Sequence, residues 1–162
     1  MGLCEHDRMA TVLLTTDGSD LALAAMVQGV ELLGRDNRFL ALAVVPPAFV
    51  PAATVNPMDS HPLVADPHLE DEVEATDRAE STVELAQLSE VLEVTAEPLV
   101  EVGEPGPTIC QVAARVGAEV VVLGSHGHGW LQRVLIGSVS NHVLQYAPCP
   151  VLVMRLTDTQ AS

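Results

Sequence analysis

Residues 118–154 read AEVVVLGSHGHGWLQRVLIGSVSNHVLQYAPCPVLVM. The apolar run at 118–123 predicts a buried strand, and the apolar run Val151 to Met154, which follows Pro150, predicts a second one. Residues 138–146 predict a helix between them. Because two strands joined through a helix run parallel, this stretch indicates a parallel sheet that is covered by helices.

The N-terminal part of the chain repeats the order of strand, helix and strand. Residues 11–15 (TVLLT) predict a strand that ends at the turn residues 16–19, and apolar residues at helical spacing then continue as far as Leu33. The apolar run 38–45 is stopped by two prolines and predicts the next strand. This repetition favours right-handed crossovers within one sheet.

The middle of the chain is less regular. Residues 46–67 contain six of the eleven prolines and predict a long loop. A stripe formed by Leu69, Val73, Thr76, Ala79, Val83 and Ala86 predicts a helix, and a strand follows within 91–102. Residues 103–107 predict a turn, and 109–116 predict a helix that Gly117 ends. We therefore expect a single α/β domain over residues 1–162, with its core at about 10–155 and helices on both faces of the sheet.

Composition excludes several classes of partner. The 162 residues carry a formal charge of −15, and all seven basic residues are arginines. So few cations do not form an extended face for nucleic acid or for an anionic membrane, and no apolar run is long enough to span one. Three cysteines without paired spacing and an N-terminus unlike a signal peptide predict a cytoplasmic protein, with Cys110 and Cys149 as buried core thiols.

A glycine-rich motif that is typical of a phosphate-binding site follows the strand at 118–123. Gly124, Gly127, Gly137 and Ser138 form the pattern G-x2-G-x9-G-S, with the last pair at a predicted helix start. Glycines let backbone amides approach a phosphate, and the first amides of a helix add donors and a positive dipole end. Because ligands of open parallel sheets bind beyond the carboxyl ends of the strands, Asp17 should face Gly124 across a crevice.

Other readings of this region are weaker. A G-x4-G-K-[ST] loop is excluded because the chain has no lysine, and the G-x-G-x-x-G dinucleotide pattern is incomplete. His126 and His128 lack a third ligand nearby, so we predict no metal site, and we predict no catalytic base. Arg133 is open to two readings, a phosphate contact or an ordinary surface residue.

At this point a resemblance to a known family becomes specific. The segments TTDGSD, LALAVVPP, GEPGPTICQVA, VVLGSHGHGWLQRVLIGSVSNHVL and APCPVLVM resemble the universal stress protein family from the first strand to the fifth. The complete glycine pattern is similar to that of the ATP-binding members. The resemblance implies a Rossmann-like, adenine-nucleotide α-hydrolase-like fold with five parallel strands in the order 3-2-1-4-5.

The resemblance also implies a set of nucleotide-binding residues. They are Thr16, Asp17, Val44, Gly124, Gly127, Gly137, Ser138 and Val139. The glycines, Ser138 and Val139 would surround the phosphates and ribose, Asp17 would lie against adenosine, and Val44 would pair with the adenine edge. The family's common form has a proline where this chain has Thr15.

Three functions remain open from the sequence. The first is a regulatory or stress-protective module that binds ATP, with Mg²⁺, and turns it over slowly or not at all. The second is a slow ATP hydrolase or a nucleotidyl- or phosphoryl-transfer enzyme of the same superfamily. The third is a protein whose pocket stays empty and that acts only through its dimer surface. The resemblance implies that the last strand, here Val151, Leu152, Val153 and Met154, pairs across a twofold axis, so we predict a homodimer with any of the three functions.

Overall fold

A computed structural model of the chain describes residues 9–47, 78–79, 81–83, 85, 87–124 and 137–155. It contains five strands: β1 (Thr11–Thr16), β2 (Arg38–Val45), β3 (Ala96–Val102), β4 (Val120–Gly124) and β5 (Val151–Met154). They form one parallel sheet in the order β3-β2-β1-β4-β5. The predicted fold class and strand order are confirmed.

Helices cover both faces of this sheet. They are α1 (Asp20–Leu33), α2 (the described residues of 78–92), α3 (Pro105–Val116) and α4 (Ser138–Tyr146). Successive residues of a buried strand point to opposite faces, so Val12 and Leu14 contact the core beneath α1 and α2, whereas Leu13 contacts the core beneath α3 and α4. A near-continuous apolar run is therefore what each central strand needs.

One contact between a helix and the sheet is unusually close. A Cβ added at Gly29 in α1 would lie 2.6 Å from Cγ1 of Val122 in β4. Val122 is fully buried in β4, between β1 and β5. Glycine at position 29 therefore lets the axis of α1 approach β4 more closely than any other residue would.

The start of α3 differs from the prediction. The helix begins at Pro105, inside the segment 103–107 that was expected to be a turn. A proline lacks an N–H group, and the N–H groups of the first helical turn have no partner within the helix, so Pro105 and Pro107 fit there without loss. β4 also begins later than expected, at Val120, and includes Gly124.

The apolar stripe predicted for α2 was wrong. Ala79 and Val83 are exposed, whereas Leu85 and Leu92 are buried in the core beneath α1 and α2, with Leu88 packed against it. Spacings of three and seven residues place these leucines on one face, and they bury more apolar area than alanine would. The remainder of the expected loop 46–67, after Pro47, lies outside the described residues, as do positions 69, 73, 76 and 86.

No helix within the described ranges combines the length and the apolar character that crossing a membrane requires.

Candidate functional site

The site lies where the strand order reverses. β1 occupies the middle of the sheet, with β2 on one side and β4 on the other. The helices that follow β1 and β4 lie on opposite faces, so the carboxyl ends of these two strands open a crevice between them. The crevice is bounded by Thr16 and Asp17 on the side of β1 and by Gly124 on the side of β4.

The turn from β1 into α1 is held by its own side chains. The amide of Gly18 donates to Oγ1 of Thr16 at 3.0 Å, and the amide and hydroxyl of Ser19 donate to Oδ1 of Asp17 at 3.1 and 2.6 Å. Oγ of Ser19 in turn accepts from the amide of Ala22 at 3.1 Å, which caps α1. The first turn of α1 is therefore already capped and carries an acid, Asp20.

A cavity of about 690 Å³ opens beside this turn. Its walls include three of the predicted site residues, Thr16, Asp17 and Val44. The structure thus brings the residues after β1 together with the end of β2, although they are far apart in the sequence. The volume lies within the range of small-molecule sites.

The opposite wall of the cavity comes from residues that the sequence analysis missed. Leu85, Leu88 and Val91 of α2 line it, together with Leu23 of α1 and Pro105 at the start of α3. The spacing of the leucines in α2 is the sequence pattern that indicates this wall. It was not predicted because the stripe through Ala79 and Val83 was taken as the buried face of the helix. The cavity therefore combines an acidic, hydrogen-bonding edge with an apolar wall.

The end of β4 is joined to its neighbours by two hydroxyl groups. Oγ of Ser140 in α4 donates to the carbonyl oxygen of Gly124 at 2.9 Å, and Oγ1 of Thr15 donates to that of Val122 at 3.1 Å. Both hydroxyl-bearing residues are buried. Thr15 thus joins β1 to β4 at the position where the family's common form has a proline, and Ser140 fixes the first turn of α4 against the end of β4.

The start of α4 has a different character from that of α1. Gly137 precedes the helix and has no side chain with which to cap it, and the first turn, Ser138 to Ser140, contains no acid. The positive end of the helix dipole and the first amides therefore lie beside the end of β4. Gly127, together with the rest of 125–136 and so His126, His128 and Arg133, lies outside the described residues.

Charge is distributed unevenly over the two sides of the crevice. Asp17 and Asp20 line the cavity, and no arginine does among the described residues. Three arginines form ion pairs elsewhere on the surface, Arg35 with Glu93, Arg38 with Glu97 and Arg115 with Glu101. Any anion bound in this part of the molecule would therefore be stabilised by backbone amides at the start of α4 rather than by basic side chains near Asp17.

Fold and crevice together define a parallel α/β protein of the doubly wound class, with its candidate site at the switch point. The model of the universal stress protein family matches residues 9–155, and the chain belongs to this family.

Relatives of the chain extend over most of its length. It is 30% identical to the universal stress protein YxiE of Bacillus subtilis over 147 residues, which is 89% of this chain and 97% of the relative. It is 28% identical to the universal stress protein MJ0531 of Methanocaldococcus jannaschii, over 89% of this chain and 81% of the relative. The structure of UspA from Lactobacillus plantarum superposes with a TM-score of 0.72 at 26% identity, over 91% of this chain and 99% of that one.

Some structures with the same fold contain nucleotides. A universal stress protein from Arabidopsis thaliana with AMP bound has a TM-score of 0.59 at 18% identity, over 94% of this chain and 95% of that one. One from Archaeoglobus fulgidus in complex with dAMP has a TM-score of 0.53 at 22% identity, over 90% and 97%. Another is in complex with cAMP, with a TM-score of 0.59 at 20% identity, over 91% and 97%.

Proposed function

We propose that this protein binds ATP in the crevice between β1 and β4 and acts as a regulatory or stress-protective module with little or no turnover. The observation that supports this most is the pairing of a cavity of about 690 Å³ at the end of β1 with an acid-free helix start at the end of β4. The complexes of family members with AMP, dAMP and cAMP support an adenine nucleotide as the ligand.

The charges of the crevice favour one orientation of the nucleotide. The amino group of adenine and the ribose hydroxyls are hydrogen-bond donors, and Asp17 is an acceptor at the edge of the cavity. The phosphates would be repelled by Asp17 and Asp20 and stabilised at the start of α4. Adenosine therefore belongs in the cavity with Val44, and the phosphates belong beside Gly124, Gly137, Ser138 and Val139. Resemblance to the family adds Gly127, which lies outside the described residues, to the phosphate-binding set.

Magnesium would enter with the triphosphate. Among the described residues no group of three His, Cys, Asp or Glu side chains could hold a metal ion. Mg²⁺ in nucleotide sites is commonly bound by phosphate oxygens and water, with few protein ligands.

A pair of variants in α2 tests the cavity. Val91 lines the cavity and is 52% exposed, whereas Val83, in the same helix, is 59% exposed and does not line it. Val91→Trp should fill the adenosine volume and weaken binding of both adenosine and ATP at least tenfold, measured by calorimetry. Val83→Trp is the matched control and should bind as the parent does. Equal affinities in the two variants would contradict the proposed cavity.

A second variant tests the phosphate end. Ser138 is exposed at the first position of α4. Ser138→Glu adds a negative charge where the phosphates should lie, so ATP affinity should fall at least tenfold while adenosine affinity stays the same. Gln145→Glu adds the same charge near the other end of α4 and should leave both affinities unchanged.

Phosphate release from the parent protein with MgATP, followed over hours, separates a binding module from a slow hydrolase.

We propose further that the protein is a cytoplasmic homodimer assembled through β5. β5 is one of the two edge strands of the described sheet, and it consists of four apolar residues that are each only partly buried. An apolar edge strand is a template for pairing, and a twofold axis would satisfy both copies. Light scattering at micromolar concentration should give twice the mass of the chain, and Val153→Pro should lower it. A monomeric parent protein would exclude this dimer.

A further inference from the structure

Two cysteines lie on the face of the sheet that is covered by α3 and α4. Cys110 belongs to the second turn of α3, and Cys149 lies between α4 and β5. The sequence predicted buried core thiols, and this prediction was wrong because both residues are partly exposed. Both are free thiols that pack against the margin of the same apolar core.

The packing of the two helices sets the register between these cysteines. α3 and α4 each connect one parallel strand to the next, so they run in the same direction across the sheet. Their close contact is at Gly106, where an added Cβ would lie 2.9 Å from Cγ of His142. One turn further along both helices, Cys110 is level with Tyr146. Cys149 follows Tyr146 by three residues, where the chain turns back towards β5.

The pKa shifts of the two thiols also indicate that Cys110 and Cys149 are neighbours. Burial raises the pKa of Cys110, and it raises the pKa of Cys149. The charge of a Cys110 thiolate raises the pKa of Cys149 further. Because Coulomb interaction between like charges falls with distance, this second effect is expected only for neighbouring groups.

We propose that Cys110 and Cys149 form a reversible intramolecular disulfide when the protein meets a peroxide. This is a modification site that is independent of nucleotide binding. The bond would connect residues 39 positions apart, and the enclosed segment contains β4, the glycine pattern and α4. Oxidation would thereby join α3 to the chain immediately before the edge strand β5.

The chemistry balances with hydrogen peroxide as the oxidant. A thiolate sulfur attacks one peroxide oxygen, the O–O bond breaks, and the departing hydroxide takes up a proton to leave as water. The product is a sulfenic acid. The sulfur of the second cysteine attacks the sulfenic sulfur, the S–O bond breaks, and a second water leaves. Two thiols thus supply two electrons, and a dithiol reductant reverses the reaction.

The raised pKa values predict how the rate depends on pH. The thiolate is the reacting form, and a pKa above the ordinary value keeps its fraction small near neutral pH. The rate of oxidation should therefore rise about tenfold for each pH unit between pH 7 and pH 8. This makes the pair a slow responder to sustained peroxide rather than a fast scavenger.

Peptide mapping of the oxidised protein tests the proposal directly. The arginines place Cys4, Cys110 and Cys149 on separate tryptic peptides, residues 1–8, 79–115 and 134–155. Reduced, folded protein is treated with a few equivalents of hydrogen peroxide, blocked with N-ethylmaleimide and digested without reductant. The expected product is a monomer about 2 Da lighter than the reduced chain, in which 79–115 is bonded to 134–155. Dithiothreitol should restore the original mass.

Three variants complete the test. Cys110→Ser and Cys149→Ser should each abolish the loss of about 2 Da, whereas Cys4→Ser should show the same loss as the parent protein. Circular dichroism of each variant is the control for folding. A bond that involves Cys4 would overturn the proposal. Sulfinic acids on Cys110 and Cys149, each about 32 Da heavier than the thiol, without a crosslink would also overturn it. The same holds if N-ethylmaleimide still alkylates both thiols after prolonged exposure to peroxide.

Discussion

The helix starts of α1 and α4, which border the crevice, differ in how their first backbone amides are capped. At the start of α1, Ser19 caps the amide of Ala22, and Asp20 provides the negative charge that the helix dipole favours. At the start of α4, Gly137 cannot cap, and the first turn contains no acid. The first helix start is complete without a ligand, whereas the second has no side-chain cap of its own. This difference is why the proposed function puts the phosphates at α4 rather than at α1.

The largest effect should come from Gly127, a member of the glycine pattern that lies between β4 and α4 in the sequence. Gly127→Val places a branched side chain where the phosphates should lie, so ATP binding should be lost. A ligand at about 100 times its Kd stabilises a protein by about 2.7 kcal/mol, which raises the Tm of a domain of this size by about 5–10 °C. Calorimetric melting with MgATP should show this shift in the parent and none in the variant. Equal shifts in two correctly folded proteins would contradict the phosphate loop.

A smaller effect should follow from loosening α4 against β4. Ser140→Ala removes the hydrogen bond to the carbonyl oxygen of Gly124, so the free energy of unfolding should fall by about 1–2 kcal/mol. The ratio of ATP affinity to adenosine affinity should fall about fivefold, because the amides of α4 lose their fixed position. Thr82→Ala, which removes an exposed hydroxyl bond in α2, is the control. An unchanged ratio would show that Ser140 contributes to stability alone.

The smallest effect on binding should come from the α1 side. Ser19→Ala removes the cap of α1 and should lower the free energy of unfolding by about 1 kcal/mol, measured by urea denaturation. The ratio of ATP affinity to adenosine affinity should not change, because the proposed orientation puts the phosphates at the start of α4 and not at the start of α1. If that ratio fell as far as it does in Ser140→Ala, the two helix starts would not differ in the way described.

The parts of the fold and of the cavity differ in how far the sequence predicts them. The strands were predictable because apolar runs such as 38–45 are short and are ended by proline or turn residues, and the parallel order followed from the helices between them. Thr16, Asp17 and Val44, which resemblance to the family gives as nucleotide-binding residues, line the cavity, and their role in binding stays a prediction. The apolar wall of α2 was not, since Leu85 and Leu88 compete with another stripe and only the packing against the sheet decides between them.

Residues that act through a single hydrogen bond were the hardest to foresee. Nothing in the pattern around Ser140 distinguishes it from Ser138, yet one is buried and contacts the carbonyl oxygen of Gly124, and the other is exposed. Which hydroxyl points inwards depends on the angle at which α4 crosses the sheet. That angle is a property of the whole layer of helices and is not encoded in the local sequence.

The contact between Gly29 and Val122 fixes how deeply α1 is seated on the sheet. Gly29 lies six residues along α1 from Leu23, which lines the cavity, and Val122 lies two residues before the end of β4. Because nothing separates the helix backbone from the valine side chain, α1 cannot move closer to β4, and any larger residue at position 29 would push the helix outwards. The height of the α1 side of the cavity above the sheet is therefore set from inside the core, by two residues that do not line the cavity.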